Sequence, residues 1–194
     1  MQRPHRGNGR RLVSGQQASG RTPVIVVMGV SGSGKTTIGA LVADAKSVPF
    51  VDADDLHPVE NVRKMAAGTP LDDEDRAPWL DIVGRRLQEA EESGEGVVMA
   101  CSALRRSYRD RIRSIAPTAV FLHLHGTLDV LTARIEGRSG HFMPPSLLTS
   151  QMDTLEPLTD DEAGYVLDIG QTVDQMIEEA VPALESIRDE MPRG

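Results

Sequence analysis

The residues Gly29-Val30-Ser31-Gly32-Ser33-Gly34-Lys35-Thr36 fit the pattern GxxxxGK[ST]. They lie directly between an apolar run, Val24 to Met28, and a stretch of helical spacing that begins at Lys35. The pattern alone occurs by chance, but a strand, a glycine loop and a helix in that order build a cradle in which backbone N–H groups converge on one anion. Gly29, Gly32 and Gly34 permit the backbone conformations that such convergence needs. In this arrangement Lys35 reaches the β- and γ-phosphates of a nucleotide, and the Thr36 hydroxyl serves Mg²⁺. The alternative is a glycine-rich turn with no ligand, which the flanking strand and helix argue against.

The rest of the chain repeats this alternation. Runs at Pro23 to Met28, Pro49 to Asp52, Gly96 to Cys101, Ala119 to Leu124 and Tyr165 to Ile169 read as strands. Helical spacing appears at Lys35 to Ala45, Val59 to Ala66, Ala77 to Glu92, Arg105 to Ile115, Leu128 to Glu136 and Thr172 to Glu190. Strands alternating with helices predict a parallel sheet covered on both faces, an α/β fold of a single domain over residues 23–194. The third helix is expected to follow Asp75, with Pro78 in its first turn.

Composition narrows the partners. The 194 residues carry a formal net charge of -8, yet residues 1–22 hold Arg3, Arg6, Arg10, Arg11 and Arg21 and no acid, so the body is more acidic than the total. Such a body repels nucleic acid and anionic membranes, and an anionic substrate would need locally focused Arg and Lys. The basic tail lacks an apolar core and reads as a disordered extension, not a secretory signal. No apolar run near it is long enough to span a bilayer. Cys101 stands alone, which excludes an internal disulfide and suits a reducing compartment. Neither Asn8 nor Asn61, the only asparagines, begins an NKxD motif, so a regulatory GTPase is disfavoured.

Two clusters supply the acceptor side. Asp52-Ala53-Asp54-Asp55-Leu56-His57 places carboxylates at the carboxyl edge of the sheet, beside the phosphate loop. If the strand continues, Asp52 and Asp54 share a face, one holding Mg²⁺ through water and the other orienting or deprotonating an attacking hydroxyl. The alternative is a solvated acidic turn capping the helix after Pro58. Arg134 and Arg138 lie four apart on one helix face, followed by Gly137, Gly140 and His141-Phe142-Met143-Pro144-Pro145. This reads as a mobile lid, about 137–150, whose arginines neutralise a transferring phosphoryl group.

Other residues are expected to carry no chemistry. Trp79 and Met65 read as core, and His123 and His125 as the more polar face of a strand. The run Asp72-Asp73-Glu74-Asp75 could bind metal, but it serves equally to offset a helix dipole, which is the preferred reading.

Taken together, GVSGSGKTT, FVDADDLHPVENVRKMAAGTPLDDEDRAPWL, CSALRRSYRDRIR and RIEGRSGHFMPPSLLTSQMDTLEPL resemble the small P-loop gluconokinases, in order, over most of Val24 to Leu158. The resemblance implies a nucleoside-monophosphate-kinase-like three-layer fold with a five-stranded sheet in the order 2-3-1-4-5. It implies transfer of phosphate from MgATP to the 6-hydroxyl of D-gluconate by a cytoplasmic enzyme that is commonly a homodimer. Carried over by residue, Gly29, Val30, Ser31, Gly32, Ser33, Gly34, Lys35, Thr36 and Thr37 hold ATP. Asp54 meets the reacting hydroxyl, and Asp52 assists Mg²⁺ with Thr36. His57, Arg63, Lys64, Arg105 and His141 are the candidates for the acceptor's hydroxyls and carboxylate, since a polyol acid needs many hydrogen bonds and a cation. Arg134, Arg138 and His141 match the lid, and Gly170, Gln171 and Thr172 lie where related kinases pass the adenine. Two rivals stay open: a kinase of the same fold for another acid such as shikimate, and a nucleotide-binding regulator without turnover.

Overall fold

The computed structural model describes residues 22–137 and 145–191. The strands β1 (Val24–Met28), β2 (Phe50–Asp52), β3 (Val97–Ala100), β4 (Val120–His125) and β5 (Gly164–Asp168) form one sheet in the order β2-β3-β1-β4-β5, with every pairing parallel. That is the order implied by the resemblance. Among the described residues the helices are α1 (Lys35–Lys46), α2 (Val59–Ala66), α3 (Asp73–Glu92), α4 (Arg106–Ile115), α5 (Leu128–Glu136), α6 (Pro145–Thr154) and α7 (Val173–Glu190).

The central strand explains the layering. All five residues of β1 are buried, and alternation sends Val24, Val26 and Met28 to one face and Ile25 and Val27 to the other. The first set joins Leu80, Val83 and Leu87 of α3 and Ile112 of α4. The second joins Ile38 and Val42 of α1, Leu131 of α5 and Met176, Ala180 and Leu184 of α7. Each fully buried side chain of this kind stabilises the fold by roughly 1.5–3 kcal/mol. Neighbouring crossovers diverge beside β1, so its carboxyl end marks the crevice where doubly wound sheets bind ligands.

Two elements differ from expectation. The third helix starts at Asp73, four residues before Ala77, because Asp72 accepts from the Asp75 backbone N–H while Asp75 accepts from that of Asp72. The acidic run is therefore spent on capping, and Pro78 falls inside the helix instead of in its first turn. The second difference is α6, which begins at Pro145 inside the span read as a lid loop. Its Leu148 is buried, and Met152 and Leu155 pack against the core at helical spacing. Arg138 and His141 lie outside the described residues, as does the tail through residue 21.

A buried ion pair fixes α6 to the sheet edge. Arg109 on α4 is fully enclosed, and its Nη2 donates to Glu162 Oε2 at 2.9 Å. The same guanidinium donates to the carbonyls of Ala103, Leu104, Glu156 and Pro157, so the chain leaving α6 is tied to the loop leaving β3. Leu104 also accepts from the Glu156 backbone N–H at 2.8 Å. With both partners present, the charges are compensated; removal of Glu162 would leave the buried Arg109 without an acidic partner among the described residues, whereas Glu162 also meets Arg106 at 3.6 Å.

His123 is a second buried polar group, with no such compensation. It is 2% exposed, and neither ring nitrogen has a hydrogen-bond partner among the described residues. Burial first, then His125 and Arg109, push its pKa down to about 4. The folded protein thus holds it neutral, while the unfolded chain takes up a proton below about pH 6.5. Stability is fully present above that pH and is lost as pH falls toward 4. Between pH 7.5 and 5, denaturant titration of wild type is expected to show about 2 kcal/mol more loss than His123→Leu, since each tenfold difference in proton affinity between the two states is worth about 1.36 kcal/mol. Equal losses in the two proteins would mean that His123 does not couple to folding.

Candidate active site

The phosphate loop spans the turn from β1 to α1, and two of its glycines are required by its path. Gly29 has φ 143°, and a Cβ there would lie 2.8 Å from the Leu124 carbonyl oxygen. Gly34 has φ 98° and caps α1 from the left-handed region, leaving the first N–H groups of the helix directed out of its end. Lys35 Nζ donates to the Val30 carbonyl at 3.1 Å, folding the ammonium back over the loop. No acid stands in the first turn of α1 to compete for an anion.

The neighbouring strand delivers the carboxylates by a route that alternation does not foresee. β2 stops at Asp52, and Ala53–Leu56 is a 3₁₀ turn. Asp52 caps this turn by accepting from the Asp54 backbone N–H at 3.1 Å, so a side chain and not the strand pleat sets Asp54 beside it. The other oxygen of Asp52 accepts from Thr36 Oγ1 at 3.3 Å. One carboxylate therefore joins the phosphate loop to the acid-bearing turn. Trp79 secures the turn from below, with Nε1 donating to the Ala53 carbonyl at 2.8 Å.

These parts line a cleft of about 700 Å³. One side carries Ser31, Gly32, Lys35 and Thr36 of the loop; the other carries Asp52, Asp54, His57, Arg76 and Trp79. Leu147 and Gln151 of α6 and Ala100, Cys101 and Ser102 after β3 complete the wall. Such a volume suits a small polar molecule held against a phosphate group. Asp54 has its pKa raised, first by burial and then by the charge of Asp52, against the pull of Lys35 and His57. A carboxylate shifted this way is a stronger base than an ordinary aspartate. His57 is shifted down, by burial first, with Arg76 adding to the effect and Asp54 opposing it. Its ring stacks on Trp79 at 4.2 Å, so Trp79 is both core and cleft floor.

The sequence-named residues divide by location. Ser31, Gly32, Lys35, Thr36, Asp52, Asp54 and His57 converge on the cleft. Val30 and Ser33 are buried in the body of the loop, and Thr37 is exposed on α1. Arg134 sits behind the loop, donating to the carbonyls of Ser33 and Ile169, which puts it between the loop and Gly170-Gln171-Thr172. Thr172 caps α7, and Gln171 donates to Glu179. Arg63 is exposed on α2 and does not line the cleft. Lys64 is paired with Asp72 and Asp75, holding α2 to the start of α3. Arg105 pairs with Asp73 at 2.7 Å in a shallow hollow next door.

Arg76 and Gln151 are lining residues that sequence reasoning passes over. Arg76 is hidden among the acids that cap α3, and its helical position becomes visible only with the helix start at Asp73. Met65, expected in the core, is 42% exposed at the cleft mouth, because the apolar side of α2 faces out beyond Asn61. Cys101 is buried as expected, and burial pushes its thiol up to about 12, so it is inert as a nucleophile.

Mg²⁺ fits this chemistry. Thr36 Oγ1 and Asp52 Oδ2 supply two hard oxygen donors in contact, and no group of three or more His, Cys, Asp or Glu among the described residues is arranged to hold a metal ion by itself. Few protein ligands plus substrate phosphates is the usual way that Mg²⁺ is held.

Comparison with known proteins bears on the family and the fold. A model of the shikimate kinase family matches residues 31–184. A probable gluconokinase of Xenopus tropicalis is 42% identical over 171 residues, covering 80% of this chain and 90% of that protein. The thermosensitive gluconokinase of Escherichia coli is 42% identical over 164 residues, covering 84% and 88%. The crystal structure of a gluconokinase from Sinorhizobium meliloti superposes with a TM-score of 0.79 at 46% identity, covering 88% of this chain and 95% of that one. The Mycobacterium tuberculosis APS kinase superposes with a TM-score of 0.62 at 17% identity over 86% and 99%, a likeness of fold alone.

Proposed function

Because the chain belongs to the gluconokinase family, we propose that its cleft passes the γ-phosphate of ATP to the 6-hydroxyl of D-gluconate, giving 6-phosphogluconate and ADP. The single observation that carries this reading is the Thr36–Asp52 contact, which sets the phosphate loop and Asp54 on opposite sides of one cleft.

The chemistry follows from placement. A triphosphate lies along the loop N–H groups with Lys35 at its outer phosphates and Arg134 behind the loop near the nucleoside end. Asp54 receives the proton of the acceptor hydroxyl as that oxygen bonds to the γ-phosphorus and the bond to the β-phosphate oxygen breaks. Mg²⁺, held by Thr36 and through Asp52, would neutralise phosphate charge when bound. His57, fixed against Trp79, presents its ring to the acceptor, and Arg76 is the cation best placed for a carboxylate, since Arg105 and Lys64 are turned to the acids capping α3. Arg138 and His141 remain the candidates for closing the site over both substrates.

The wider setting is part of the proposal. The buried lone thiol of Cys101 supports a reducing compartment, the cytoplasm, and the acidic charge supports acceptors other than nucleic acid. No helix among the described residues is long and apolar enough to cross a membrane. A homodimer is carried by the family resemblance alone.

Acceptor-dependent ADP release, measured with D-gluconate, other sugar acids and shikimate, tests the assignment. Gluconate is expected to exceed every other acceptor by at least about 10-fold in kcat/KM, the scale that the net worth of one hydrogen bond supplies. Turnover of shikimate with none of gluconate would reassign the substrate. ATP binding without acceptor-dependent release would instead favour the regulator reading.

A further inference from the structure

Gln151 lies on α6, 120 residues along the chain from the phosphate loop, yet its Oε1 accepts from the Ser31 backbone N–H at 2.7 Å. A backbone N–H only donates, so the atom facing it is the amide oxygen and the NH₂ group takes the opposite side. Gln151 lines the cleft, and among the described residues its NH₂ group has no protein partner. The side chain is thus anchored at one end to the phosphate loop and offers a donor at the other.

The element that carries it is held firmly. Leu148 is buried, Met152 and Leu155 pack on the core, and the Arg109–Glu162 pair with the Leu104–Glu156 bond fastens the exit of α6. Leu147 and Gln151, one helical turn apart, lie about a quarter-turn round the helix from that packed side and line the cleft. Position and rotamer are therefore both constrained before any acceptor arrives, the condition for a contact that discriminates.

The cleft's polar balance shows why an amide is suited to this place. Asp52 and Asp54, when ionised, accept hydrogen bonds only. A chain of hydroxyls presents a donor and acceptor oxygens at every carbon, and Arg76, the charged donor on the same wall, is given to the acceptor's carboxylate in the reading above, so the hydroxyl oxygens need a further donor. An uncharged NH₂ group beside the loop meets them without repelling the triphosphate, as a carboxylate would, and without competing with Lys35 for it.

We infer that Gln151 is a specificity-determining contact of the acceptor subsite, with its NH₂ group donating to a hydroxyl oxygen of a polyol acid while the Ser31 N–H holds its carbonyl. This rests on the kinase reading above. It concerns the hydroxyls that are not phosphorylated, because a donor on the reacting oxygen would tie up the lone pair that attacks phosphorus.

The test uses Gln151→Met, which keeps length and loses the strong donor, and Gln151→Glu, which retains an acceptor for the Ser31 N–H while losing the NH₂ group. KM and kcat for gluconate are measured for both variants in the full chain, with the dissociation constant of a non-hydrolysable ATP analogue and the thermal midpoint alongside. Gln151→Met is expected to raise KM for gluconate at least about 10-fold while analogue affinity changes less than about 3-fold, since one missing hydrogen bond that leaves a partner unpaired costs about that much. Gln151→Glu is expected to be no better, as the anchor alone does not restore the donor. Rescue of gluconate KM by Glu would overturn the inference and reduce Gln151 to a brace for the loop. An unchanged KM in Gln151→Met, or equal losses of ATP analogue and gluconate affinity in that variant, would overturn it too. Wild-type turnover of gluconate judges the kinase reading separately; if another acceptor is the substrate, the same ratios are taken with that one.

Discussion

Lys35→Ala is expected to lower kcat/KM for gluconate by at least roughly 10²-fold while leaving the fold intact, the scale of one lost electrostatic contribution to phosphoryl transfer. The reasoning is local. Lys35 opens α1 and its ammonium folds back to the Val30 carbonyl, so the charge sits over the loop and not in the core. The apolar side of α1 is carried by Ile38, Val42 and Ala43, none of which needs the lysine. The loss should appear in acceptor-dependent ADP release, with the thermal midpoint close to wild type. Lys35→Arg keeps the charge but replaces a compact ammonium by a planar fork, and its recovery should be partial, because the loop closes around a point charge. Turnover within a few-fold of wild type in Lys35→Ala would mean that the triphosphate does not lie where the loop places it.

How far the chain can be read from its sequence varies with how local the determining physics is. The phosphate loop is legible because its requirement is a backbone one, written in glycines at fixed spacing after a strand. β1 is legible because a doubly buried strand is apolar at every position. The turn at Ala53–Leu56 is harder: the pleat argument puts Asp52 and Asp54 on one face, whereas a capping hydrogen bond from the Asp54 N–H accomplishes their juxtaposition. The start of α3 is legible in kind but not in place. The four acids read as offsetting a helix dipole, yet the sequence predicts the helix only from Ala77, because the reciprocal caps of Asp72 and Asp75 that start it at Asp73 leave no mark in periodicity. Lys64 and Arg105 show the limit most clearly. Both are cations near the acceptor side in sequence, and both are paired to the α3 acids, partners 8 and 32 residues away whose orientation no periodicity reports. Gln151 has a signal, the spacing of Leu148, Met152 and Leu155 that marks α6, but its contact with Ser31 depends on a packing of α6 that only the tertiary fold supplies.

For the acceptor carboxylate, Asp54→Asn is expected to reduce kcat/KM by at least roughly 10²-fold, the contribution of a positioned base. The substitution preserves size and the backbone N–H that Asp52 accepts from, so the 3₁₀ turn, the Trp79–Ala53 bond and the Thr36–Asp52 contact all remain. What disappears is the negative charge and the capacity to take the hydroxyl proton. If Asp54 acts on the reacting hydroxyl, the loss falls on kcat with ATP analogue binding nearly unchanged, because Asp54 lies on the 3₁₀ turn and not in the phosphate loop. Asp55→Asn is the matching control, since Asp55 is exposed on the same turn but does not line the cleft, and its rate should stay within about 2-fold of wild type. Equal effects of the two substitutions would trace the loss to the charge of the acidic turn as a whole. Near-normal turnover in Asp54→Asn would transfer the role to Asp52, the other carboxylate within the cleft, whose oxygens are already shared between the Thr36 hydroxyl and the cap of the turn.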